Sequence, residues 1–200
     1  MNTMVKLQRE TGETRIELEL ELYGRGEYDI NTGIGFFDHM LELWTRHGFF
    51  DLKLKADGDL EVDCHHTVED TGIVLGQALD EALGARKSIK RYGEVILPMD
   101  EVLVLTAVDL SGRSYYKDDL KFENKVAGNF PVELFSEFYS KLVSQAGINL
   151  HFKMLRGGNT HHLLEACFKG FARTLDKALQ IEQRLENESL STKGKLGEGE

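Results

Sequence analysis

Two adjacent histidine pairs concentrate the chemistry of this chain. His65-His66 is followed three residues later by Glu69, and His161-His162 by Glu165, so His-His-x-x-Glu occurs twice. On a helix, neighbouring residues diverge by about 100°, so the two imidazoles of a pair cannot comfortably face one ion. The glutamate, four residues after the first histidine and three after the second, projects between them. One copy thus offers nitrogen in two directions plus a carboxylate. Two copies supply four imidazoles and two carboxylates, enough for most of a two-metal site. Mixed His/Glu ligation suits manganese, iron or zinc. The two cysteines, Cys64 and Cys167, form no CxxC and give neither a structural zinc site nor a disulfide framework.

The surroundings of the two motifs repeat as well. HHTVEDTGIVLGQALDEAL (65–83) and HHLLEACFKGFARTLDKAL (161–179) align without a gap and share seven of 19 positions, including Leu79/Leu175, Asp80/Asp176 and Leu83/Leu179. This is an internal duplication, and it points to further ligands. His39 lies 26 residues ahead of the first pair and Glu137 lies 24 ahead of the second, each on the preceding predicted helix. Glu137 would be the carboxylate counterpart of His39. His47, eight residues after His39 on the same helix, is placed to reach a substrate. Cations stand out in so acidic a chain: Arg91, Arg113 after Ser111-Gly112, Lys169 one turn beyond Glu165, and the basic island Ser191-Thr192-Lys193-Gly194-Lys195. Such groups mark a phosphate or carboxylate site.

The elements that position these residues follow from periodicity. Residues 14–22 alternate charge with Ile16, Leu18, Leu20 and Leu22 and read as a half-buried strand. Phe36 to His47 has helical spacing and stops at Gly48. Phe49–Lys55 is a predicted strand, Asp57-Gly58-Asp59 a turn and Leu60–Asp63 a possible return strand, and a helix runs from about His66 to Leu83. The order then begins again: strands at Val95–Leu97 and Val102–Leu110, a helix at Val132–Gln145 ending at Gly147, a strand at Ile148–Met154, a glycine turn, and a helix from His161 to about Arg184. The reading is an α+β fold made of two similar halves, 1–90 and 91–186, each a small mixed or antiparallel sheet packed on helices. Residues 187–200 form a tail.

Composition narrows the function classes. The chain has 200 residues, 41% hydrophobic and 29% charged, with a net charge of −10, which argues against nucleic acid or a membrane surface as partner. Charges interrupt every apolar run, so no transmembrane helix fits, and MNTMVKLQRE contains no secretory h-region. A reduced, cytoplasmic protein is the expectation.

Several segments together resemble one family. They are Arg9-Glu10-Thr11 to Thr14, TGIGFFDHML (32–41), DCHHTVEDTGIVLG (63–76), PMDE (98–101), DLSGR (109–113), GNTHHLLEACFK (158–169) and STKGKL (191–196). In this order, from about residue 9 to 196, they resemble the imidazoleglycerol-phosphate dehydratases of histidine biosynthesis. The resemblance implies a hydro-lyase that converts imidazole-glycerol phosphate to imidazole-acetol phosphate plus water. It implies two manganese ions per active site and a homo-oligomeric shell of 24 subunits with sites at subunit contacts. The metal ligands it implies are His39, His65, His66, Glu69, His161, His162 and Glu165. Glu137 joins them at a position that is histidine in some members, and Cys64 replaces a frequent aspartate without being a ligand. Glu13 is the implied acid–base residue, with Glu69 and Glu165 the other catalytic carboxylates. Substrate contacts fall on Glu13, His39, His47, Arg91, Arg113, Lys169, Ser191 and Lys193. The lost proton is not next to a carbonyl, so two metals, one on each ring nitrogen, would stabilise an imidazolate that expels the neighbouring hydroxyl. Two other readings use the same ligands: a di-metal hydrolase of a phosphorylated metabolite, and a non-catalytic shell stapled by metal.

Overall fold

The computed structural model describes residues 4–192. The first half contains β1 (Met4–Glu10), β2 (Thr14–Glu21), β3 (Tyr28–Asn31), α1 (Gly35–Gly48), β4 (Asp51–Gly58) and α2 (His65–Leu83). The second repeats that order with β5 (Tyr92–Met99), β6 (Val102–Asp109), β7 (Tyr115–Asp119), α3 (Glu133–Ala146), β10 (Asn149–Arg156) and α4 (Thr160–Leu179). A short hairpin, β8 (Val126–Ala127) with β9 (Phe130–Pro131), is inserted before α3.

Each half forms a four-stranded mixed sheet. The strand orders are β1-β2-β4-β3 and β5-β6-β10-β7. In both, the first three strands run antiparallel and the last pairs in parallel with its neighbour. Connectivity and strand direction therefore repeat, which establishes the duplication at the level of the fold. One face of each sheet is covered by helices, so the strands bury every second side chain. In β2 those are Ile16, Leu18 and Leu20, and in β4 they are Leu52, Leu54 and Ala56. β6 alternates in the same way, with Val102, Val104, Thr106 and Val108 inward.

The helices pack across the halves, α1 against α4 and α2 against α3, while α2 and α4 also cover their own sheets. Phe135, Phe138, Tyr139, Phe152, Phe168 and Phe171 form the aromatic centre, within one hydrophobic core that spans both halves. The α2–α3 approach depends on Gly72, where an added Cβ would lie 2.7 Å from the carbonyl oxygen of Phe138.

Several boundaries differ from the sequence reading. Leu60–Asp63 is no strand: Leu60 N–H donates to Gly58 and Val62 N–H to Asp59, a succession of turns. Phe49 is outside β4, because it holds the left-handed conformation (φ 58°) that ends α1. α4 stops at Leu179, not near Arg184. There the chain straightens and pairs its backbone with 88–90, through Lys90 N–H to Gln180 O and Glu182 N–H to Ser88 O, before a single 3₁₀ turn at Gln183–Leu185. β1, β3 and β7 are additional edge strands; β3 and β7 are largely exposed, with little apolar alternation to reveal them.

Candidate functional site

Both histidine pairs open a helix, and both helix starts are fixed in the same way. The Asp63 carboxylate accepts the His65 N–H at 2.6 Å, and the Asn159 side-chain oxygen accepts the His161 N–H at 2.8 Å. An acceptor two residues ahead of each pair satisfies a free N–H of the first turn, so the two motifs leave their helices in the same phase.

The crossed helix packing then assembles two equivalent groups. His65 Nε2 lies 3.4 Å from Glu69 Oε2 on α2, and α3 brings Glu137 beside them. On the other pair, Glu165 Oε1 of α4 lies 3.3 Å from His161 Nε2 and 3.1 Å from Nε2 of His39 on α1. Within each group the donor atoms all lie within 4.8 Å of one another. One divalent cation, with bonds of about 2.0–2.3 Å, can bridge such a spacing, and the donors are the imidazole and carboxylate types that transition metals accept. The pairing is crossed with respect to chain order: His39 meets the second motif and Glu137 the first. The glutamate also does not sit between its two histidines; it sides with the first of each pair.

A lysine holds each carboxylate, from the packed helix α3 for Glu69 and from one turn along the same helix for Glu137 and Glu165. Lys141 Nζ lies 2.8 Å from Glu69 and 3.4 Å from Glu137, and Lys169 Nζ lies 2.7 Å from Glu165. Burial alone would raise the Glu165 carboxyl, but Lys169, His39 and His161 outweigh it and hold the group below the ordinary carboxylate range. Hydrogen bonding to Glu69 raises Lys141. His47, half-buried on α1, is pushed down by burial and by the charges of Lys169 and Arg173.

The second histidine of each pair faces another way. His66 Nδ1 lies 3.0 Å from Asp59 and its Nε2 3.7 Å from Glu13, on the β1–β2 turn. His162 repeats this, with Nδ1 3.0 Å from Glu101 and Nε2 3.7 Å from Asp100, on the β5–β6 turn. The Asp59 hydrogen bond raises the pKa of His66. Glu101 is drawn down to about 2, first by the Asn159 backbone N–H that it accepts at 2.7 Å and then by His162.

The cations are less gathered. Arg91 is buried and forms a forked pair with Asp109, Nε at 2.6 Å and Nη2 at 3.0 Å, while Nη1 donates to the Leu190 carbonyl at 2.6 Å. It therefore ties the start of β5 to the segment that carries Ser191. Arg113 is exposed just beyond β6. Lys193 lies outside the described residues. Cys64 is in neither group, and His151 is an exposed strand residue stacked on Tyr115. Sequence reasoning missed Asp59, Asp100, Glu101, Asp109 and Lys141. All but Lys141 lie in the Asp-Gly-Asp turn, PMDE or DLSGR, where an acidic residue otherwise reads as a turn former.

Comparison with known proteins gives the family of the chain. A family model described as imidazoleglycerol-phosphate dehydratase matches residues 32–175. A protein of that name from Acetivibrio thermocellus is 53% identical over 196 residues, 98% of this chain and all of the relative. One from Clostridium botulinum is 52% identical over 194 residues, 97% of this chain and 98% of the relative. Among solved structures, the imidazoleglycerol-phosphate dehydratase of Staphylococcus aureus matches with a TM-score of 0.81 at 39% identity, covering 89% of this chain and 99% of its own. The Pyrococcus furiosus enzyme, solved in complex with (S)-C348, matches at 0.80 and 37%, covering 95% and 100%. With relatives above 50% identity along nearly its whole length, this chain belongs to the imidazoleglycerol-phosphate dehydratase family.

Proposed function

We propose that this chain removes water from imidazole-glycerol phosphate to give imidazole-acetol phosphate, using two manganese ions per active site. The observation that carries the metal reading is the pair of equivalent groups, His39/His161/Glu165 and His65/Glu69/Glu137, each with its donors within 4.8 Å. Family membership carries the reaction.

His39, His161 and Glu165 would hold one ion, and His65, Glu69 and Glu137 the other. His66 and His162, whose rings face away from these groups, would complete the sites of neighbouring copies in a homo-oligomeric shell of 24. Bound manganese supplies Lewis acidity to the substrate's imidazole ring, lowering the cost of drawing a proton from a ring nitrogen. Glu13, exposed on the β1–β2 turn, takes the proton from the side-chain carbon. The hydroxyl on the carbon beside the ring departs as water with the proton drawn from the ring nitrogen, and the resulting enol becomes the ketone as Glu13 returns its proton to that carbon and the enol proton passes back to the ring. His47 lines the substrate position. Arg91, Arg113, Lys169, Ser191 and Lys193 hold the phosphate, which converts a flexible tail into an oriented one. A cytoplasmic setting fits a biosynthetic enzyme in which no helix among the described residues is long and apolar enough to cross a membrane.

The test is product identity. Manganese-loaded protein incubated with imidazole-glycerol phosphate should form the ketone with no release of inorganic phosphate. Phosphate release would favour a di-metal hydrolase, and an assembled particle that turns nothing over would favour a structural shell.

A further inference from the structure

We propose that Asp59 and Glu101 are positioning residues that fix the second histidine of each motif as a ligand through Nε2. The proposal rests on the reading that His66 and His162 bind metal. Each carboxylate lies 3.0 Å from Nδ1 of its histidine, so the Nδ1 proton is committed to that hydrogen bond. In the neutral ring this leaves the Nε2 lone pair as the only free donor, which settles both the tautomer and the ring orientation.

The contact is built twice from unrelated pieces of chain. Asp59 directly follows β4, in the turns that lead to α2, whereas Glu101 lies in the β5–β6 turn, some 60 residues ahead of His162. The duplication did not copy the residue, since the two carboxylates occupy different places in the two halves; only the interaction recurs. The Glu101 carboxylate and the Asp59 backbone are also pinned. Glu101 accepts the Asn159 N–H at 2.7 Å, which joins it to the residue capping α4, and the backbone N–H of Asp59 donates to Glu13 O at 3.1 Å. Ordinary surface pairs lose much of their value by ordering two free side chains. Here the anchoring contact has already set the Glu101 carboxylate, and that of Asp59 fixes the backbone from which its short side chain extends. A carboxylate behind a ligating imidazole raises its basicity and restricts its swing, and loss of such a partner lowers metal affinity by about 10–100-fold.

The experiment is equilibrium competition for Mn2+ between a chelating fluorophore and the assembled full-length protein. The variants are Asp59→Ala, Glu101→Ala, Asp59→Asn and Glu101→Gln, with Asp57→Ala as a neighbouring acidic control. The alanine variants are expected to bind about 10–100-fold more weakly. The amide variants, which keep a neutral acceptor oxygen for Nδ1–H, should fall between them and the parent, and Asp57→Ala should match the parent. Parent-like affinity in both alanine variants overturns the positioning role while leaving the metal reading intact. A parent protein that binds no manganese overturns the metal reading and the positioning role together. Should an alanine variant fail to fold, parent-like affinity in its amide counterpart overturns the proposal.

Discussion

Replacing Gly72 by alanine tests whether the α2–α3 approach builds the group formed by His65, Glu69 and Glu137. A Cβ at Gly72 would stand 2.7 Å from the Phe138 carbonyl oxygen and 3.3 Å from the Phe138 ring. Ordinary contact begins near 3.4 Å, so the helices must separate by roughly half an ångström or more, and the obstacle is backbone that cannot rotate away. Alanine gains about 1 kcal/mol of helix propensity over glycine. Overpacking in a dense interior costs about 1–3 kcal/mol. The clash dominates because Phe138 is fully buried against Phe37 and Phe168 and has nowhere to go. The cost less the gain leaves a net loss of up to about 2 kcal/mol, a fall in Tm of up to about 8 °C for a chain of this size. Glu137 immediately precedes Phe138, so it moves away from Glu69 with the helix. A site needing bond lengths within about 0.2 Å then loses manganese affinity by about tenfold. Thermal unfolding of metal-free protein and Mn2+ competition read the two effects. A variant that is stabilised by about 1 kcal/mol, the bare propensity gain, with unchanged affinity would refute both the close approach and its link to the site.

Three further outcomes follow from the contacts. Lys169→Met leaves Glu165 buried without its cation and should destabilise the metal-free protein by about 3 kcal/mol, as read by urea unfolding; added Mn2+ should restore most of the loss by replacing the positive charge. Asp70 is buried, accepts from Thr14 Oγ1 at 2.5 Å and from Arg9 Nε at 3.1 Å, and so ties the β1–β2 hairpin that carries Glu13 to α2; Asp70→Ala should cost about 2 kcal/mol in the same assay. Truncation after Ser189 removes the Leu190 carbonyl that Arg91 holds, together with Ser191 and Lys193, and should lower kcat/KM by about 100-fold with circular dichroism unchanged.

Much of this was legible because helices and half-buried strands advertise themselves by period. The four long helices and strands β2, β4, β6 and β10 all carry apolar residues at fixed spacing, and the aligned 65–83 and 161–179 exposed the duplication. β3 and β7 escaped because a largely exposed edge strand needs no alternation: Tyr28–Asn31 and Tyr115–Asp119 are held by pairing to β4 and β10, which no local pattern encodes. The end of α4 was overrun because residues 180–184 carry no glycine or proline; the chain leaves the helix to pair with 88–90, a tertiary event. At the site, spacing and duplication single out the motif residues together with His39 and Glu137, and the fold brings His39 beside His161 and Glu165 and Glu137 beside His65 and Glu69. Those pairings were not legible, because the exchange of α1 and α3 between halves joins His39 to Glu165, 126 residues away. Asp59 and Glu101 were invisible as partners of His66 and His162 for a related reason: acidic residues in turns are common, and only the folded chain shows which nitrogen they face.

The central claim is a manganese-dependent dehydration. Protein stripped of metal with a chelator, checked by elemental analysis and then reloaded, is incubated with imidazole-glycerol phosphate while the ketone product is followed. Turnover should be absent in the stripped protein and return with Mn2+ in proportion to occupancy, approaching two ions per active site. Undiminished turnover in protein verified to be metal-free, or none in an assembled manganese-loaded particle, would contradict it.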